Sequence, residues 1–339
     1  MHNTLVIGDL HFINKPAGML QAQKDSLINL IKTNPNCREV IFLGDLSMHR
    51  KPDPTVLLAL KEVFDFITRK GKNCIVLRGN HDSNNKSDDG VTYLTLYENE
   101  FIKVVHEEPY YDELTHRYYI PHYENVDSIR QALSEAPESA LVFGHFGYVG
   151  SYNSAGDMDS DVLVDEFKND AILGHIHNYS MRTNALGKSI LIPGTPWSTS
   201  FGEANKAHYV HTIDQNNQIV NAMVVDYAPH HTVLPLKAVS DWWNVVDRRA
   251  FHLLRVRLCA GEGMSDIPQT EVDYLDIRYE PAFDEEDSSL FSPDAELLTI
   301  TDDTIMEYID ATQPPDLTRD DLLSGYRTIK GGEELPDED

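Results

Sequence analysis

Five times in the first 177 residues an apolar run ends in glycine and passes directly to a side chain able to ligate a metal: Gly8-Asp9-Leu10-His11, Gly44-Asp45, Gly79-Asn80-His81-Asp82, Gly144-His145 and Gly174-His175-Ile176-His177. Such a run closed by glycine reads as a buried strand ending in a sharp turn. In open α/β sheets ligands gather beyond the carboxyl ends of the strands, which is where all five motifs deliver their side chains. The i,i+2 spacing of Asp9 with His11, and of His175 with His177, puts each pair on one side of an extended chain. Carboxylate, imidazole and amide oxygen form a nitrogen–oxygen donor set suited to Mn, Fe, Zn or Mg. A single Gly-Asp or Gly-His carries no weight, because a lone histidine is most often a core or surface residue. Five of them in order, each behind a strand, make a strong pattern.

The rest of the first 230 residues supplies the frame. Expected strands are Thr4–Gly8, Val40–Gly44, Cys74–Arg78, Ala140–Gly144, Ala171–Gly174 and Ser189–Pro193, with His208–Asp214 and Ala222–Asp226 as an antiparallel extension. Apolar residues recur at three- and four-residue spacing in Met19–Ile31 and Pro54–Arg69, which predicts helices. Strand–helix alternation argues for an α/β domain over residues 1–232. Residues 233–280 read as a small α/β cap, with a helix near Trp242–Arg249 and strands at Leu253–Leu258 and Val272–Tyr279. Residues 281–295 form an acidic linker, 296–330 a helical arm and 331–339 an acidic tail.

Charge and cysteine usage limit the partners. The net charge is −27 at pH 7, and the stretch from Pro281 onward holds 18 acidic and 3 basic residues. That leaves 37 acidic and 25 basic residues before it, so bulk charge gives no support to nucleic-acid binding. Cys37, Cys74 and Cys259 are odd in number and far apart, which excludes a thiolate zinc cluster and argues against a disulfide framework. No apolar run reaches membrane-spanning length, and the polar start leaves no room for a signal core, so a cytoplasmic protein is expected.

The motif series resembles the calcineurin-like metallophosphoesterase superfamily from about Leu5 to His177. The resemblance implies a four-layer αββα sandwich holding two divalent metal ions. Carried over, Asp9, His11 and His177 would hold one ion, Asn80, His145 and His175 the other, and Asp45 would bridge them. Such a pair activates water and neutralises charge on an attacked phosphoryl group. His81 is assigned to the leaving group as acid or donor, with Asp82 orienting its imidazole; the bland alternative for His81 is a structural histidine.

Two further stretches resemble the SbcD-type DNA repair nucleases. One is Asp45-Leu46-Ser47-Met48-His49-Arg50-Lys51-Pro52, although His49 lies four residues after Asp45, where the relatives have their histidine three after. The other is Pro193-Gly194-Thr195-Pro196-Trp197-Ser198-Thr199-Ser200-Phe201-Gly202-Glu203, whose bland reading is a loop that packs the sheet. Thr304–Ala311 is similar to the end of T-even phage recombination endonuclease subunits. The resemblance implies a manganese-dependent DNA exonuclease and endonuclease subunit, forming a homodimer and binding an SbcC-type coiled-coil ATPase through the C-terminal arm. Lys237, Arg248, Arg249, Arg255 and Arg257 of the cap are candidate phosphate contacts, or an ordinary solvated face. The rival readings are a phosphodiesterase or nucleotidase for a small ester, and a non-catalytic scaffold of an ATPase.

Overall fold

Strand residues alternate between two different cores. In the computed structural model, which describes residues 3–152 and 162–279, β1 (Asn3–Ile7) sends Leu5 and Ile7 to one core and Val6 to another. That is the period of two expected of a strand buried on both faces. Parallel pairing joins β1 to β2 (Cys37–Phe42), then β3 (Asn73–Leu77) and β4 (Ile102–Val105).

A second sheet follows in the chain: β5 (Tyr110–Asp112), β6 (Arg117–Ile120), β7 (Leu141–His145), β8 (Ala171–Gly174), β9 (Ser180–Thr183) and β10 (Ser189–Ile192), in the order 5-6-7-8-10-9. The chain then returns to the first sheet with β11 (Val210–Ile213), antiparallel to β1, and β12 (Ile219–Met223).

Four layers result. Val6, Ile41, Leu77 and Val105 of the first sheet meet Tyr119, Phe143, Ile172 and Leu191 of the second in one dry layer. Helices α1 (Met19–Thr33) and α2 (Pro54–Arg69) cover the outer face of the first sheet through Leu27, Leu30, Val56, Leu60 and Phe64. Helix α3 (Val126–Glu135) covers the second sheet with Ile129, Ala132 and Leu133. This is the αββα sandwich that the resemblance implies. Helix α2 begins sharply because the Asp53 carboxylate accepts from Thr55 N at 2.8 Å and Pro54 occupies the first turn. Helix α1 has no side-chain cap. Its fully buried Gln23 instead donates to the His11 carbonyl at 3.1 Å and accepts from Ile13 N at 3.0 Å. The helix is thereby tied to the first ligand loop.

Beyond the sandwich lies a three-stranded parallel sheet of β13 (His230–Pro235), β14 (His252–Leu258) and β15 (Tyr274–Tyr279), with α4 (Val239–Val245) against it. The cap sheet thus starts at His230, ahead of the boundary read from sequence, and has a strand that was not expected. Its helix runs Val239–Val245, not Trp242–Arg249, and β12 spans Ile219–Met223, not Ala222–Asp226. The linker, arm and tail expected after residue 280 lie outside the described residues. Among those described, no helix is long and apolar enough to cross a membrane.

Candidate metal centre

All five motifs lie at carboxyl ends of strands, and the two sheets share the ligands between them. Asp9 and His11 follow β1, Asp45 follows β2, and Asn80, His81 and Asp82 follow β3; His145 ends β7, while His175 and His177 follow β8. His11 (φ 46°), Asp45 (φ 51°) and His175 (φ 87°) occupy the left-handed region that non-glycine residues seldom adopt. Neighbouring bonds hold them there. His11 N donates to Asp45 O at 2.9 Å, Phe12 N to Leu46 O at 2.9 Å, and His175 N to Asp9 Oδ2 at 2.9 Å. Clustered strain of this kind is a mark of functional sites. Gly79 is required for a different reason, since a Cβ there would overlap both the backbone and the carboxylate of Asp45.

Ligand atoms converge in two groups. Those of Asp9, His11 and His177 lie within 4.8 Å of one another, and so do those of Asp45, His145 and His175. Asn80 Oδ1 joins the second group, 3.1 Å from His145 Nε2 and 3.0 Å from His175 Nδ1. Asp45 faces both: Oδ2 is 3.7 Å from His11 Nε2 and Oδ1 is 3.4 Å from His145 Nε2. All seven residues assigned as ligands are therefore brought together, with Asp45 between the groups.

The electrostatics fit a cation. Asp9 and Asp45 are almost fully buried, yet the imidazoles around them are driven in opposite directions. Burial pushes His11 down to about 3. At His145 burial also opposes the charge, but Asp45 and Asp9 outweigh it and raise the imidazole to about 9. Buried carboxylates beside these rings call for positive charge, which ions held here would supply. His11 Nε2 and His177 Nε2 face each other at 2.8 Å, an arrangement natural to two ligands of one ion. Divalent ions held by these seven residues would supply Lewis-acid polarisation of a phosphoryl group and of water.

His81 lies beside these groups, its ring edge-on to His11 at 5.0 Å between centroids. Its backbone N donates to Asp45 Oδ1 at 2.8 Å. Its Nδ1 lies 2.6 Å from Met48 O; a carbonyl only accepts, so Nδ1 carries the proton and Nε2 is left for a substrate oxygen. The expectation that Asp82 orients this ring is corrected. Asp82 is fully buried and accepts instead from Leu46 N (3.0 Å), Gly79 N (3.0 Å) and Tyr93 Oη (2.6 Å). Its carboxylate braces the loops after β2 and β3. His49 is exposed, with its N on Ser47 Oγ at 3.3 Å.

Sequence reasoning passed over Glu203. Only 1% exposed, it sets Oε1 2.5 Å from His177 Nδ1 and accepts from Thr199 N at 2.7 Å. Burial works against its charge, but the bond to His177 holds it down at about 2. The signal was present, because Glu203 closes the 193–203 stretch singled out above. That stretch lies along the ligand loops: Thr195 N donates to His177 O at 3.3 Å and Trp197 Nε1 to Leu10 O at 3.0 Å. His122 was also passed over; it is buried, with its ring 5.8 Å from that of His145.

The cap arginines are less available than expected. Arg249 is paired with Asp247 at 2.6 Å and stacks on Tyr227; Arg255 is half-buried, paired with Asp276 at 2.5 Å and stacked on Phe201. Arg248 is exposed and lies over Trp243, while Lys237 and Arg257 are exposed.

The model of the calcineurin-like phosphoesterase family matches residues 2–179. No curated protein sequence matches the chain. Among solved structures, a dimetal phosphatase from Danio rerio is 11% identical, with TM-score 0.43, over 62% of this chain and 91% of its own. Pseudomonas putida nuclease MPE is 17% identical, with TM-score 0.29, over 61% of this chain and 83% of its own. The family match spans more than half of the chain and contains every assigned ligand, so the chain belongs to the calcineurin-like phosphoesterases.

Proposed function

We propose that this calcineurin-like phosphoesterase is a metal-dependent DNA nuclease, the hydrolytic subunit of an SbcCD-type recombination and repair complex. One observation carries the reading beyond phosphoester hydrolysis in general. The 193–203 stretch, by which the chain resembles DNA repair nucleases, is built into the metal centre through Trp197, Thr195 and Glu203. A loop that merely packed a sheet would have no reason to place a buried carboxylate on a metal ligand.

In this reading the seven ligands would hold Mn2+, which would polarise a DNA phosphate and the attacking water. His81, protonated on both ring nitrogens, gives its Nε2 proton to the departing oxygen and is left as the Nδ1–H imidazole held by Met48 O. The homodimer would use α1 and α2, where Leu58 stands 61% exposed. DNA and a coiled-coil ATPase are the partners, the latter through the segment after residue 280.

A second reading, a phosphodiesterase for a small ester, is favoured by charge: Arg249 and Arg255 are already neutralised by Asp247 and Asp276, and the whole chain is strongly acidic. Incubation with Mn2+ and linear duplex DNA, and separately with bis-p-nitrophenyl phosphate, decides between them. The nuclease reading expects both to be cleaved, with a co-expressed ATPase partner stimulating the DNA reaction. Ester hydrolysis without DNA digestion, the partner included, would establish the second reading instead.

A further inference from the structure

The imidazole ligands differ in what holds their second nitrogen. His145 Nδ1 is 2.7 Å from a backbone carbonyl, Leu43 O, whereas His177 Nδ1 meets the carboxylate of Glu203 at 2.5 Å. A carboxylate on the far nitrogen fixes the tautomer, aims the ring and makes the near nitrogen a stronger donor. His177 Nε2 is directed at His11 Nε2, within the group that contains Asp9. Glu203 is itself held by Thr199, whose N and Oγ1 both donate to it, at 2.7 Å and 3.0 Å.

Glu203 stands in a single helical turn, Phe201–Glu203, and the first residue of that turn is gripped by the cap. The Arg255 guanidinium of β14 lies 4.1 Å from the centroid of the Phe201 ring. The His231 ring of β13 meets it nearly edge-on, with centroids 4.8 Å apart and planes at 85°. Asp276 of β15 holds Arg255 in place at 2.5 Å. All three cap strands therefore act on a turn whose last residue touches a metal ligand.

We propose that Glu203 is the positioning residue for the metal ligand His177, and that the cap, by clamping Phe201 between Arg255 and His231, sets where Glu203 stands. The inference rests on the dinuclear reading and extends it: the position of the cap is felt at one ion and not at the other. In the other group, the Leu43 carbonyl holds His145 Nδ1, and His81 N donates to Asp45 Oδ1.

Calorimetric titration of the metal-free full chain with Mn2+ tests it, with thermal denaturation as the control for folding. Wild type is expected to bind two ions. Glu203→Ala should weaken one of them by about 10- to 100-fold and leave the other unchanged. Glu203→Gln, which keeps an acceptor for Nδ1, should lose less. Phe201→Ala and Arg255→Met should shift the same ion in the same direction by a smaller factor. Unchanged affinities in the folded Glu203 variants, or equal weakening of both ions, would overturn the assignment to Glu203. Unchanged affinities in the Phe201 and Arg255 variants would remove the cap from it. A wild-type chain that binds no ion would instead bring down the dinuclear reading itself.

Discussion

His81 donates a hydrogen bond from Nδ1 to the carbonyl of Met48, 2.6 Å away, while the neighbouring Asp82 turns inward to the loop backbones. The residue that faces the substrate side and the residue that stiffens the loops are adjacent in sequence yet act separately. Their substitutions should therefore separate as well.

His81→Ala should lower kcat on bis-p-nitrophenyl phosphate by about 100- to 10,000-fold, the range for losing a positioned proton donor. Two ions should still bind, because the His81 side chain is not among the converging ligand atoms. Mn2+ stoichiometry measured beside the kinetics checks this; loss of an ion would make His81 a structural residue.

Asp82→Ala should act on stability. It strips acceptors from Leu46 N, Gly79 N and Tyr93 Oη, all in a buried setting. Leaving such donors unpaired costs about 1–3 kcal/mol each, so urea denaturation should report a loss of several kcal/mol. Tyr93→Phe, which removes one donor cleanly, should cost only about 1 kcal/mol.

Gly79→Ala puts a methyl group where Asp45 now lies. Because Asp45 faces both ligand groups, the substitution should weaken both ions together, unlike any change at Glu203. Calorimetric Mn2+ titration would show the difference, and a selective effect on one ion would contradict the bridging position given to Asp45.

The base of the cap should loosen in acid. His231 is 7% exposed, and burial depresses it to about 4 from its ordinary 6.5. Between those values the unfolded chain binds the proton and the folded chain does not, so stability falls as pH drops from about 6.5 towards 4. By pH 4.5 this group alone accounts for about 2–3 kcal/mol. Urea curves for His231→Gln and wild type at pH 7 and 4.5 should show a flatter pH dependence in the variant. Parallel slopes would mean that His231 is already protonated in the folded state.

Ligands and strands were legible together because each ligand sits one to four residues past a buried apolar run, so local order already placed it at a strand end. Glu203 was not legible in that way: it meets His177 across 26 residues, and only the return of the chain after β10 makes the pair. Strand β13 was missed because its His-His-Thr start is polar; His231 and Thr232 are nonetheless buried, with Ser198 and β14 as neighbours. The apolar pattern misplaced β12 in the other direction. Its Ile219 and Val220 lie on an exposed edge strand, where hydrophobicity says little about register. Helix α3 offers only three buried residues, too few for a periodic signal. The pairing of Arg255 was not legible either, because its partner Asp276 comes from the adjoining strand.

Because Asp9, His11, Asp45 and Asn80 come from one sheet and His145, His175 and His177 from the other, the ions would act as rivets across the open end of the sandwich. Their spacing is then inherited from the layer of Val6, Leu77, Phe143 and Ile172 beneath. A single methyl group added or removed in that layer would slide one half of the coordination shell against the other. For this chain, how far apart the two halves of the ligand set stand is in part a matter of how thick its core is.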